Sequence, residues 1–223
     1  MGGTLKILNL KNANIVEGGN SYYLTDHFTQ NDVIGDYMFY AMTALEKIVM
    51  PKDVWSIGSW YSYGTPPWNA DKTSISGYAK TYNVNGSDTD FGCASFYQCV
   101  KLKQIEFPDA LLHIGGKAFG NCVKLTSITI PEGVELLGNY VFINCTGLES
   151  ASIPSTFGNQ YKTVNCDTDY TGWRFLSEGT GWGESNGFYN IFFKCPKLKN
   201  ITLAEGIKYL GNRMSVSYTH LRA

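Results

Sequence analysis

The stretch IGGKAFGNCVKLTSITIPEGVELLG, Ile114 to Gly138, holds the pattern that decides the fold. Its central part, LTSITIP (Leu125 to Pro131), recurs 23 residues upstream as LKQIEFP (Leu102 to Pro108) and 23 residues downstream as LESASIP (Leu148 to Pro154). Three more copies begin at Leu5 (LKILNLK), Leu45 (LEKIVMP) and Leu198 (LKNITLA), so six segments share Leu, two variable residues, then apolar, variable, apolar. A second module, G-x-x-x-F-x-x-C-x-x-L, precedes each anchor. It is clearest at Gly115-Phe119-Cys122-Leu125 and Gly138-Phe142-Cys145-Leu148, and recognisable at Gly92-Phe96-Cys99-Leu102, Gly35-Phe39-Met42-Leu45 and Phe188-Phe192-Cys195-Leu198.

Such a period marks a repeat architecture, because one unit cannot bury its apolar face alone and must stack on its neighbours. In ITI and IEF alternate residues point to one side, as a half-buried strand requires. Pro108, Pro131 and Pro154 stop the strand, since proline has no ladder donor. The three- and four-residue spacing of Ala118, Phe119 and Cys122 suits a short helical or 3₁₀ turn on the opposite wall. The reading is a leucine-rich-repeat solenoid of about six coils over residues 1–214, with a parallel β-sheet on one wall and short helical or 3₁₀ turns on the other. Cys99, Cys122, Cys145 and Cys195 share one repeat position and are expected to form a column of free thiols inside it, with Cys93 and Cys166 outside the column.

Ile114 to Gly138, with its weaker copies between Leu5 and Gly211, resembles the BspA-like leucine-rich repeat family of bacterial surface proteins. The resemblance implies a right-handed solenoid, secretion or surface anchoring, and adhesion or protein binding without catalysis. After Met214 the pattern calls for Phe, but Ser215 stands there, followed by VSYTHLRA. That octapeptide resembles a translated transposase adapter, so residues 215–223 are read as a non-native tail on a fragment truncated at its C-terminus, the alternative being a divergent cap. Met1-Gly2-Gly3-Thr4 does not begin a secretory signal, and surface localisation is therefore an expectation from the resemblance.

Anchors at 5, 45, 102, 125, 148 and 198 leave excesses of 17, 34 and 27 residues over the period in three coils, the alternative for the 34-residue excess being one degenerate coil plus 11 residues. All three fall after the strand and before the G-x-x-x-F module, at Val16 to Val33, Ser59 to Phe91 and Gly158 to Gly187, which predicts three loop insertions on one flank. Trp60, Trp68, Trp173 and Trp182 lie in them, with many tyrosines, among them Tyr22 and Tyr23. Exposed Trp and Tyr anchor partners or stack on sugars. The second and third insertions are expected to flank a recess over Leu112, His113, Glu135 and Leu136. Candidate ligand contacts are Trp60, Trp68, Trp173, Trp182, His113 and Glu135. The competing reading is that the aromatics fold back to cover the flank. A second candidate surface is the outward strand row Asn9, Val49, Glu106, Thr129, Ser152 and Thr202.

Composition narrows the function classes. A net charge of −1 and no basic run give nothing to attract nucleic acid or anionic lipid, and no apolar stretch is long enough to insert in a membrane. There is no CxxC, the three histidines are scattered, and no G-x-S-x-G elbow appears. Asp88-Thr89-Asp90 and Asp167-Thr168-Asp169 alternate oxygens as calcium loops do, but the second lacks the Gly and the closing Glu of an EF-hand. The sequence therefore reads as a non-enzymatic binding scaffold, secreted or on a bacterial cell surface, with no cofactor and no metal. Its expected partner is a protein or host extracellular matrix; a glycan bound by the insertion aromatics, or a spacer role, are the alternatives.

Overall fold

The computed structural model describes residues 3–23, 27–58, 94–134, 136–137, 140–156 and 191–207. Among them the repeat segments form a parallel ladder: β1 (Ile7–Asn9), β5 (Lys47–Val49) and β7 (Gln104–Glu106) in one sheet, β9 (Ser127–Thr129), β11 (Ser150–Ile153) and β12 (Asn200–Leu203) in another. The register pairs equal repeat positions, Ile48 with Ile105 and Ile128 with Ala151. Alternation does what the pattern requires: in β9 Ile128 is buried while Ser127 and Thr129 are exposed.

A second parallel sheet runs along the flank, in the order β4 (Val33–Ile34), β6 (Ser56–Ile57), β8 (His113–Ile114) and β10 (Leu136–Leu137). These two-residue strands arise from the link between modules. Val54 and Ile57, Leu111 and Ile114, and Val134 and Leu137 all turn into the core. Pro131-Glu132-Gly133 shapes the bend into this link, with Gly133 at φ 99°, and Glu132 ties it to the next coil by accepting from the Ser155 hydroxyl at 2.8 Å.

The third wall departs from the expectation of helical or 3₁₀ turns. Ala118 N–H donates to Gly115 C=O, Gly120 N–H to Lys117 C=O and Cys122 N–H to Phe119 C=O, a run of β-turns. Lys117 and Asn121 have φ of 52° and 59°, and Ala94, Gln98, Tyr140 and Asn144 repeat this in neighbouring coils. Positive φ at every fourth residue is incompatible with a helix. The physical reason is the ladder it permits. A helix would consume its amides internally, whereas these turns direct alternate N–H groups at the next coil. Phe119 donates to Val141 C=O at 2.9 Å and Asn121 to Ile143 C=O at 2.8 Å, as Phe96 and Gln98 donate to Ala118 and Gly120.

Inside this wall the phenylalanines form a continuous stack. Successive ring centroids are 5.1 Å apart for Phe39 and Phe96, 5.2 Å for Phe96 and Phe119, 5.6 Å for Phe119 and Phe142, and 5.5 Å for Phe142 and Phe192, with near-parallel planes.

The insertions do not leave the coil at one point. The extra residues of the first coil lie before β4 and form an antiparallel hairpin, β2 (Gly18–Tyr23) with β3 (His27–Thr29). Those of the second coil lie after β6, between Gly58 and Ala94. The second and third insertions and residues 215–223 lie outside the described residues.

Phe119 is fully buried, stacked on both sides and met edge-on by Phe107. Phe119→Ala should lower the unfolding free energy by about 3–5 kcal/mol in chemical denaturation. A loss below about 1 kcal/mol would be incompatible with a tightly packed column.

Candidate interaction surfaces

Cys99, Cys122, Cys145 and Cys195 are free and buried, each one turn beyond its phenylalanine. Each thiol donates to the carbonyl of the preceding coil's phenylalanine: Cys99 to Phe39 at 3.3 Å, Cys122 to Phe96 at 3.4 Å, Cys145 to Phe119 and Cys195 to Phe142 at 3.1 Å. At Phe96, Phe119 and Phe142 that carbonyl already accepts the amide of its own turn, so the thiol takes the second lone pair. Burial pushes the Cys99 and Cys195 thiols up to about 12 and raises Cys122 and Cys145 likewise. A thiol held protonated is not a nucleophile. Cys93 and Cys166 lie outside the described residues.

His113 is a correction to the sequence reading. Rather than lining a recess it is buried in β8, with 1% of its surface exposed, and its Nδ1 lies 3.0 Å from Ser56 Oγ. The serine hydroxyl donates to Gly58 C=O at 3.0 Å, which leaves Nδ1–H of the ring to donate to the serine oxygen. Burial holds the imidazole well below its ordinary pKa, so it is neutral at pH 7. The ring has no face to offer a surface ligand. Leu112 beside it is half-buried. Trp60, Trp68, Trp173, Trp182 and Glu135, the other candidate contacts, lie outside the described residues.

The strand wall presents two faces of different chemistry. Around β5 and β7 it is charged and internally matched, Lys47 pairing with Glu106, and Lys103 with Glu46 at 2.7 Å. The Lys103 hydrogen bond and charge hold the Glu46 carboxyl below the usual range. Val49, expected in the outward row, is only 8% exposed and does not offer itself to a partner. Around β9, β11 and β12 the outward positions are Ser127, Thr129, Ser150, Ser152, Asn200 and Thr202, in register and without charge.

The first insertion places its aromatics on the turn wall. Tyr22 OH donates to Asp36 C=O at 3.0 Å, and Tyr23 stacks on Tyr37 at 4.6 Å. Tyr37 meets Tyr40 edge-on, and Tyr40 lies parallel to Tyr97 of the next coil at 6.1 Å. In this insertion the tyrosines fold back, leaving Val16 and Phe28 as its exposed large apolar groups. The row Tyr37, Tyr40, Tyr97 was not singled out from the sequence. Its signal is the residue after each wall phenylalanine: Tyr40, Tyr97 and Phe193 are aromatic, whereas Gly120 leaves room for Tyr97, whose ring carbons would lie 2.5–2.6 Å from a Cβ there.

Among the described residues no group of three or more His, Cys, Asp or Glu could hold a metal ion, and no helix is long and apolar enough to cross a membrane.

The sequence profile of the BspA type leucine rich repeat region matches residues 21–69 and 78–168, in 6 copies. No curated protein matches the chain. Among solved structures the chain is similar to a leucine rich cell surface protein from Faecalibacterium prausnitzii, at 20% identity and TM-score 0.47, over 86% of this chain and 33% of that one. It is similar to the Treponema pallidum leucine rich repeat protein, at 18% identity and TM-score 0.39, over 83% and 74%. It is also similar to the pneumococcal vaccine antigen PcpA, at 16% and 0.43, over 78% and 29%. The chain thus spans about a third of the length of the F. prausnitzii protein.

The buried imidazole supplies a readout of the coil that needs no ligand. Because the folded pKa of His113 lies below the unfolded value near 6.5, its contribution is complete above pH 6.5 and declines as pH falls below it. The unfolding free energy should fall between pH 7.5 and 5 with a slope of up to about 1.4 kcal/mol per pH unit. His113→Asn, which keeps a donor toward Ser56, should remove that slope. Equal pH dependence in both proteins would mean that His113 is not buried as a neutral ring.

Proposed function

The chain belongs to the BspA type leucine-rich-repeat family, and from that premise we propose that it is a non-catalytic binding scaffold, displayed on or secreted from a bacterial cell, that holds a protein or host-matrix partner. The observation that carries the reading is the disposal of reactive groups. The four described thiols and His113 are consumed by contacts between coils, while the outward positions of β9, β11 and β12 are in register and uncharged. A molecule built so spends its side-chain chemistry on stacking and keeps extended surfaces for recognition.

Trp60, Trp68, Trp173, Trp182 and Glu135 are proposed as partner contacts, His113 being excluded by its burial. Aromatic side chains of this kind carry large shares of binding energy when a partner desolvates them.

Binding of the full chain to immobilised extracellular-matrix proteins should be saturable, and Trp68→Ala with Trp173→Ala should weaken it by about tenfold or more, corresponding to about 1.4 kcal/mol. A glycan array run on the same two proteins decides the partner class. Specific sugar binding abolished by the double substitution, with no matrix protein retained, would overturn the protein-partner reading.

A further inference from the structure

The strand wall is interrupted at one joint only among the described residues. At the other joints the residue after the anchor leucine donates to the coil before: Glu46 to Lys6 C=O at 2.7 Å, Lys103 to Glu46 C=O at 2.9 Å, Glu149 to Thr126 C=O at 2.8 Å and Lys199 to Glu149 C=O at 3.0 Å. At the far end of the strands, Leu10 donates to Val49 C=O, Met50 to Glu106 C=O and Ile130 to Ser152 C=O. Between β7 and β9 neither bond is made, and one sheet ends where the other begins. Ile105, at the edge, is only half-buried, whereas its counterparts Ile48 and Ile128 are 0% and 5% exposed.

The same two coils are joined normally elsewhere. On the flank β8 pairs with β10, and on the turn wall Phe119 N–H reaches Val141 C=O with their ring column unbroken. The joint is therefore a wedge, closed on two walls and open on the third. Phe107 sets this coil apart. It occupies the position held by Leu10, Met50, Ile130, Ile153 and Leu203 in the other coils, and its larger ring turns inward to meet Phe119 at 5.8 Å and 87°.

We propose that the wedge between β7 and β9 receives an extended peptide segment of the protein partner, which completes the ladder through its backbone. Both edges carry rows of ladder N–H and C=O groups, and the groups that satisfy such rows regardless of sequence are those of another extended chain. The rim is electrically matched already, Glu106 with Lys47 and Lys103 with Glu46, and its β9 side is Ser127 and Thr129. An uncharged, β-branched or hydroxyl-bearing segment fits that rim, with Phe107 and Ile105 as an apolar floor. The proposal rests on the scaffold reading and names the class of segment that the scaffold holds.

Hydrogen exchange on the full chain tests it, with the hexapeptide acetyl-Thr-Val-Thr-Val-Thr-Val-amide as probe and the same peptide N-methylated at alternate residues as control. Without peptide, the amides of Ile105, Phe107, Ser127 and Thr129, which alternate toward the joint, should exchange faster than those of Lys47–Val49 and Ser150–Ile153. The probe should slow them by about tenfold or more, and the N-methylated control should not. Phe107→Ile, which restores the residue type of the other coils, should protect these amides without peptide and abolish the probe's effect. Slow exchange in the unliganded chain, no effect of the probe, or equal protection by the N-methylated control would each overturn the proposal, and the last two need no variant. A matrix partner that binds through Trp68 and Trp173 while these amides stay unchanged would overturn the wedge proposal alone and leave the scaffold reading standing.

Discussion

Each repeat of the turn wall places a phenylalanine and, in all but the first, a cysteine three residues on, so that ring meets ring and thiol meets carbonyl from one coil to the next. Everything else in the stack is arranged around that meeting. The ring spacing of 5.1–5.6 Å is set by offset stacking of buried aromatics, and it fixes how far apart the coils stand. The amide ladder beside it, from Phe39 and Ala41 through Phe142 and Asn144, runs in one direction, each coil donating to the next, while the thiols donate back. Opposed donors of this kind make the register specific, because a slip by one residue would bury amides and thiols without acceptors.

With the turn wall fixed, the other two walls have some latitude. The flank sheet needs only two residues per coil, and a coil accepts extra chain on either side of it: the first before β4, the second after β6. The strand wall follows the same spacing at every described joint but one. There β7 and β9 are unpaired beside the larger Phe107, while Phe119 and Phe142 stay stacked on the turn wall. A local interruption is tolerable because stability in a repeat stack is a sum of neighbouring contacts, so one weakened joint does not propagate.

Much of this was legible in the sequence. The 23-residue step gave the strand register directly, since equal positions pair, and the shared place of Cys99, Cys122, Cys145 and Cys195 placed the thiol column. The turn wall was misread as helical or 3₁₀ because a three- and four-residue spacing of apolar groups is common to a helix and to consecutive β-turns. What distinguishes them is positive φ at Lys117, Asn121 and their described counterparts, none of which is glycine, so residue type carried no signal. His113 was misplaced because its strand is two residues long, too short for alternation to say which face is covered. The Phe107 wedge was invisible for another reason. Phe and Ile are equivalent in an apolar pattern, and the difference lies in volume.

The functional account follows from the same economy: side chains that could do chemistry are engaged in joining coils, and the surfaces that remain are suited to recognition. Its base is the thiol and phenylalanine column, and thiol accessibility measures that base most directly. In a variant with Cys93→Ser and Cys166→Ser, all four remaining thiols should resist a thiol reagent in native buffer and all four should react in denaturant. Rapid native labelling of Cys122 or Cys145, the two innermost of the column, would contradict the account.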